Sequence, residues 1–116
     1  IFPSRAEGWN LGLLECMAMG LNIITTNYSA HTEFCNDKNS MLLDIKNTEF
    51  AYDGVFFKDI NTSATWACLD EMVEEQCIEY MRKSYNERLN NNNEGVLTGK
   101  QFSWENSAKQ IIQHLN

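Results

Sequence analysis

A chain of 116 residues is one domain's worth of protein, and at that length roughly 65% of the unfolded surface can be buried without disulfide or metal staples. Hydrophobic residues at 43% and charged residues at 22% exclude disorder and collagen, and no run approaches the roughly 18 apolar residues of a membrane-spanning helix. Sixteen acidic against nine basic side chains give a net charge of −7, and Lys and Arg do not gather into the stripe that nucleic acid requires. An anionic ligand would therefore have to be held by local groups against the overall field.

In chain order, Ile1-Phe2 reads as the tail of a strand ended by Pro3. With no charged leader before it, this opening is unlike a signal peptide and reads as a cut through a longer protein. Leu11 to Met19 carries apolar residues at helical spacing, and Gly20 stops the helix. Asn22 to Thr26 is a short β-branched run, best read as a buried parallel strand. A helical turn follows from Ala30 to Cys35, with Ser29 as its cap and Glu33 nearby, and Ser40 to Asp44 is a third strand. Strand, helix, strand, turn, strand predicts an α/β fold with a mostly parallel open sheet.

The second half changes character. Lys46 to Thr65 reads as an irregular excursion, with a hairpin around Asp53-Gly54 and an aromatic trio, Tyr52, Phe56 and Phe57, that could cover the next helix. From Trp66 the helical period returns through Leu69, Val73, Cys77 and Tyr80, predicting a helix over about 66–90. Its opposite face carries Asp70, Glu71, Glu74, Glu75 and Glu79, read as a solvated face. Asn90 to Asn93 reads as a loop. Ser103 reads as the N-cap of a last helix over about 103–115, with an apolar stripe of Ala108, Ile111, Ile112 and Leu115. Trp66 and Trp104 are expected on helices at core-facing positions.

Cys16, Cys35, Cys68 and Cys77 form neither a Cys-x-x-Cys pair nor a cluster with His31 or His114. They read as small core residues in a reducing compartment rather than as disulfides or a zinc site. The sequons Asn27-Tyr28-Ser29 and Asn61-Thr62-Ser63 are read as chance without a secretory signal.

The densest chemical signal is Pro3-Ser4-Arg5-Ala6-Glu7-Gly8-Trp9-Asn10-Leu11-Gly12-Leu13-Leu14-Glu15. Glu7 and Glu15 lie eight positions apart, and on one continuous helix they would diverge by about 80°. With Glu7 in a strand-to-helix loop and Glu15 early on the helix, both can face the crevice at the carboxyl end of a parallel strand, where open α/β sheets bind ligands. The helix start near Asn10 to Gly12 would offer free N–H groups and a partial positive charge to a phosphate. The same residues also fit a plain turn and a solvated helix. Arg5 reads as a loop or strand-end ion pair, His31 as a turn residue ahead of a ligand contact, and Trp9 as packing beneath the loop ahead of stacking near a base.

The stretch Phe2-Pro3-Ser4-Arg5-x-Glu7-Gly8-Trp9-x-Leu11-x-Leu13-Leu14-Glu15-x-Met17-Ala18-x-Gly20, followed by Ile23-Ile24, resembles the glycosyltransferase group 1 family, also called family 4, with its Glu-x7-Glu motif. Asn27 to Phe34 and the final Phe102-Ser103-Trp104-Glu105-Asn106-Ser107-Ala108 are similar to later segments of that family. The match is specific over residues 1–44, loose over about 45–100 and moderate at the end.

The resemblance implies a Rossmann-like open sheet, with residues 1–116 forming part of the second, donor-binding half of a two-domain GT-B fold. It implies that Glu7 sits at the transferred sugar as the catalytic residue. Gly8, Trp9, Asn10, Leu11, Gly12 and Glu15 would bind the nucleotide sugar, the loop amides cradling the diphosphate and Glu15 holding the ribose. The parent would be a cytoplasmic hexosyltransferase acting with retention on a nucleotide-diphospho-sugar, with no metal and no cofactor of its own. Its acceptor domain would lie outside this chain, leaving the chain inactive alone. The alternative is a non-catalytic nucleotide-binding or interaction module on the same fold. Two departures from the family pattern stand out, Asn10 where glycine is usual and Gly12 where proline is usual. Asn tolerates positive φ, so the loop can survive. Without proline its helix entry should be softer.

Overall fold

The computed structural model describes residues 1–59, 63–89 and 91–115. The elements run α1 (Leu11–Ala18), β1 (Ile24–Thr26), a 3-10 turn (Ala30–Glu33), β2 (Met41–Leu43), β3 (Thr48–Phe50), β4 (Thr65–Ala67), α2 (Glu71–Asn86), α3 (Asn93–Gln101) and α4 (Trp104–His114). This is a mixed α/β arrangement. β1 pairs in parallel with β2, Ile24 opposite Met41 and Thr26 opposite Leu43. Phe2 bridges Thr25, also in parallel.

The strands alternate their faces as a pleat requires. Ile24, Met41 and Leu43 face α2, packing with Val73, Cys77 and Tyr80. Leu42 joins the opposite cluster, built on Leu13, Leu14, Met17, Ile23 and Phe34. The parallel strands are thus covered on both faces, by α2 on one and α1 on the other.

α1 begins behind Asn10 and ends at Gly20, whose φ of 79° suits the residue after a helix terminus. Its outer side is covered by α3, an element not expected from the sequence, which begins at Asn93, the last residue of the asparagine run read as a loop. Within that loop Asn92 caps α3, its Oδ1 accepting from the Gly95 amide at 2.8 Å while its Nδ2 donates to the carbonyls of Leu21 and Asn39. Gly95 and Gly99 let α3 lie against α1. A β-carbon on Gly99 would come within 2.4 Å of the Ala18 side chain, and one on Gly95 within 2.7 Å of Met17 Cγ.

Three further expectations need correction. The helix expected over about 66–90 spans only Glu71–Asn86, started by Asp70, whose side chain accepts from the Val73 amide. Trp66 lies on β4, because Thr65–Ala67 pairs antiparallel with Thr48–Phe50 and the Ala67 amide donates to the Arg5 carbonyl at 2.8 Å. β3 and β4 are joined by a long excursion rather than a tight hairpin. Within it Asp53 and Gly54 start a small turn in which the Asp53 carboxylate accepts from the amides of Val55, Phe56 and Phe57. Phe57 lies edge-on to Trp66, while Phe56 is 87% exposed.

Trp104 is not core-facing. It is 83% exposed, and α4 buries none of its residues even though Ser103 caps it as expected. The acidic residues Glu71, Glu74, Glu75 and Glu79 are exposed, as a solvated face should be. Asp70 and Glu71 also place negative charge at the amino end of α2, where the helix dipole favours it. The four cysteines are free. Asn61 and Thr62 of the second sequon lie outside the described residues.

Candidate functional site

Two loops leave the carboxyl edge of the parallel strands, Pro3 to Asn10 after Phe2 and Asn27 to Ser29 after β1. They are tied to one another and to the strands. Thr25 Oγ1 donates to the Phe2 carbonyl at 3.0 Å, and Thr26 Oγ1 donates to the Ser4 carbonyl at 2.7 Å. Ser29 Oγ donates to the Glu7 carbonyl at 2.8 Å and accepts from the Glu7 amide at 2.9 Å. The Glu7 carboxylate is half-buried and accepts from Ser4 Oγ at 2.7 Å.

Ser29 therefore does something other than the capping expected of it. It makes no side-chain cap bond to the following turn, because its backbone conformation turns the hydroxyl back onto Glu7. The sequence carries no sign of this role or of Ser4's. Arg5 forms the expected ion pair, with Glu49; its Nε donates to the Ala67 carbonyl at 3.1 Å and its guanidinium lies 4.0 Å above the Trp66 ring. These bonds fasten the β3–β4 unit to the loop that carries Glu7.

Gly8 is exposed with open space around it. Trp9 packs beneath the loop, its ring 5.2 Å from Phe34 and 5.6 Å from Phe102. Asn10 takes the left-handed conformation (φ 68°, ψ 61°), and its side chain accepts from the Leu13 amide at 3.3 Å. Asparagine pays less for this conformation than most residues because its short side chain bonds locally. The loop thus turns into α1 at Asn10 without the usual glycine. Leu11 and Gly12 open the helix and are exposed. Their amides belong to a first turn that has no intrahelical partners and contains no acid.

Glu15 is exposed on the second turn of α1. It lines a groove of about 470 Å³ with Trp9, Leu11, Leu14, Phe102 and Trp104. The structure places Glu7 in the loop before α1 and Glu15 on the second turn of α1, and the groove that Glu15 lines does not include Glu7.

His31 is fully buried. Its Nε2 lies 2.6 Å from the Thr26 carbonyl, to which it donates, and within 3.4 Å of the hydroxyls of Thr25 and Thr26. It is a structural turn residue holding the end of β1.

Among curated proteins, the chain is similar to glycogen [starch] synthase isoform 2 of Saccharomyces cerevisiae, 25% identical over 114 residues. The match spans 97% of this chain but 15% of that protein. No family model and no solved structure matches. The similarity links the chain to glycosyltransferases in coarse terms. No helix among the described residues is long and apolar enough to cross a membrane.

Proposed function

We propose that this chain is part of the donor-binding half of a glycosyltransferase of the group 1 type, on a Rossmann-like GT-B scaffold. In this reading the parent moves a hexose from a nucleotide-diphospho-sugar to an acceptor hydroxyl with retention, using no metal and no cofactor of its own. The observation that carries it is the amino end of α1, entered through left-handed Asn10, with Glu7 held in the loop that leads into it and Glu15 exposed on its second turn. The coarse likeness to a glycogen synthase supports the same reading.

The amides of Leu11 and Gly12 face the diphosphate, where the helix end favours negative charge despite the net −7 of the chain. As the sugar leaves, charge builds on the diphosphate, and preorganised amides stabilise it without reorganising. Gly8 leaves room for close approach, and Trp9 holds the loop from below. Glu15, in the groove beside Trp9, holds the ribose. Glu7, fixed in the loop before the helix, meets the transferred hexose, where positive charge develops at the anomeric carbon. Residues of the acceptor-binding half, outside this chain, complete the site and exclude water. The chain by itself accordingly turns over no donor.

Titration of the chain with uridine diphosphate and with uridine, followed by amide NMR, tests the reading. The diphosphate should bind more tightly than the nucleoside and shift Gly8 to Leu14 first. Largest shifts near Asp53 or Asn91 would place the site elsewhere. Binding here without sugar transfer by the full-length protein would favour a non-catalytic nucleotide-binding module.

A further inference from the structure

Ser29 stands at φ 73°, ψ −164°, a region open to glycine and costly to any residue with a β-carbon. A glycine would sit there at ease, so the serine side chain must return something for the strain. What it makes is a two-point clamp across 22 residues of sequence, with Oγ accepting from the Glu7 amide at 2.9 Å and donating to the Glu7 carbonyl at 2.8 Å. The clamp is itself held, since the Ser29 carbonyl accepts from Thr32 Oγ1 at 2.7 Å and from the Thr32 amide at 3.2 Å. On the other side of Glu7, the Ser4 hydroxyl donates to the carboxylate at 2.7 Å, and the Ser4 carbonyl is pinned by Thr26 Oγ1 at 2.7 Å. Both polar groups of the Glu7 backbone are therefore fixed by a single side chain, and its carboxylate by another.

We propose that Ser29 is a positioning residue for Glu7: its hydroxyl, kept at the expense of backbone strain, fixes the Glu7 backbone so that the carboxylate is held in one orientation before the donor arrives. Glycine at this position would supply the turn but leave both polar groups of the Glu7 backbone without the side-chain partner they have here. The inference rests on the reading of Glu7 as the residue that meets the transferred sugar. It adds that the loop after β1, which touches no part of the donor in that reading, sets the rate through Glu7.

The test uses Ser29→Gly, Ser29→Ala and Glu7→Gln in the full-length protein. Donor turnover is measured as nucleoside diphosphate released from a panel of UDP-, GDP- and ADP-hexoses, and hydrogen exchange is followed in the peptide covering residues 3–10. Ser29→Gly removes the hydroxyl and the strain together, so the thermal midpoint should hold or rise while the peptide exchanges faster. kcat should fall roughly 10-fold or more, as misplacement of a reacting group does, with donor KM within about twofold of the parent. A merely structural serine would not produce a slower enzyme that is equally or more stable. Should Ser29→Gly fail to fold, Ser29→Ala, which keeps the β-carbon, must show the same fall in kcat. Parental turnover in the Ser29 variants alongside an impaired Glu7→Gln overturns the positioning role while sparing the reading of Glu7. Parental turnover in Glu7→Gln overturns both.

Discussion

The Glu7 carboxylate accepts the Ser4 hydroxyl and its backbone is clamped by Ser29, whereas Glu15 projects from α1 into an open groove. A held carboxylate suits a contact whose geometry matters in the transition state; an exposed one suits a binding contact made equally before and during the reaction. On the proposed function, Glu15→Gln in the full-length protein should therefore raise donor KM, by about 1–3 kcal/mol of lost binding. Glu7→Gln should depress kcat more than it raises KM, and steady-state kinetics with the donor varied separates the two. Cys35 allows a second prediction. Burial pushes its thiol above the ordinary range, against a smaller opposing effect of the hydrogen bond with Ser40. The thiolate is the reactive form, so in the native protein at neutral pH Cys35 should be alkylated by iodoacetamide after half-buried Cys16, Cys68 and Cys77, as mass spectrometry would read. Asn10 was legible in the sequence, because its tolerance of positive φ is a property of the residue. Ser29 was not, since its strain is worth holding only through a partner 22 residues away.

At the scale of elements, the short-range signals held where one element decided its own form and failed where a neighbour did. The α1 helix, its stop at Gly20 and the run Ile24–Thr26 follow from local pattern. Trp66 shares the helical spacing of Leu69 and Val73, yet β4 forms because β3 and Arg5 offer it backbone partners. α3 was hidden because Gly95 and Gly99 lower helix propensity and an asparagine run reads as loop. Its sequence clue was Asn92, three residues ahead of the Gly95 amide that it caps. The glycines are there for α1. Gly99→Ala should cost about 1–3 kcal/mol by overpacking against Ala18, although alanine is the better helix former; urea unfolding measures it. Tight packing therefore outweighs propensity at this crossing. The Asp53 turn carries a pH dependence. Amides of Phe57, Val55 and Phe56, the first foremost, hold the carboxyl below its ordinary range. The folded value lies below the unfolded one, so the turn is fully supported above the ordinary carboxylate range and loses support as pH falls through the depressed value. Amide shifts of Phe56 and Phe57 should titrate with a midpoint below that of an ordinary aspartate, and Asp53→Ala should abolish the transition.

For the molecule as a whole, the alternation of strand and helix in the first half anticipates the parallel pairing of β1 with β2, because βαβ connections leave few other arrangements, but not the separate antiparallel pair of β3 and β4. The sequence could not show where the last helix goes. Ala108, Ile111 and Leu115 follow the helical period of a core-facing stripe, yet Ile111 is 62% and Leu115 79% exposed. Periodicity reports that a face is apolar without saying what lies against it. The stability of this chain should accordingly be concentrated in the two clusters on either side of the parallel strands. Leu13, at 0% exposure between α1's neighbours, should cost about 2–5 kcal/mol on replacement by alanine, from lost burial and the cavity left behind. Ile111→Gln and Leu115→Gln should each stay within about 0.5 kcal/mol of the parent, as surface substitutions do. Urea unfolding with an unchanged slope compares the two sets directly. If the α4 variants cost as much as Leu13→Ala, the stripe is buried in solution; a small effect means that α4 contributes its apolar face to something other than the stability of this chain.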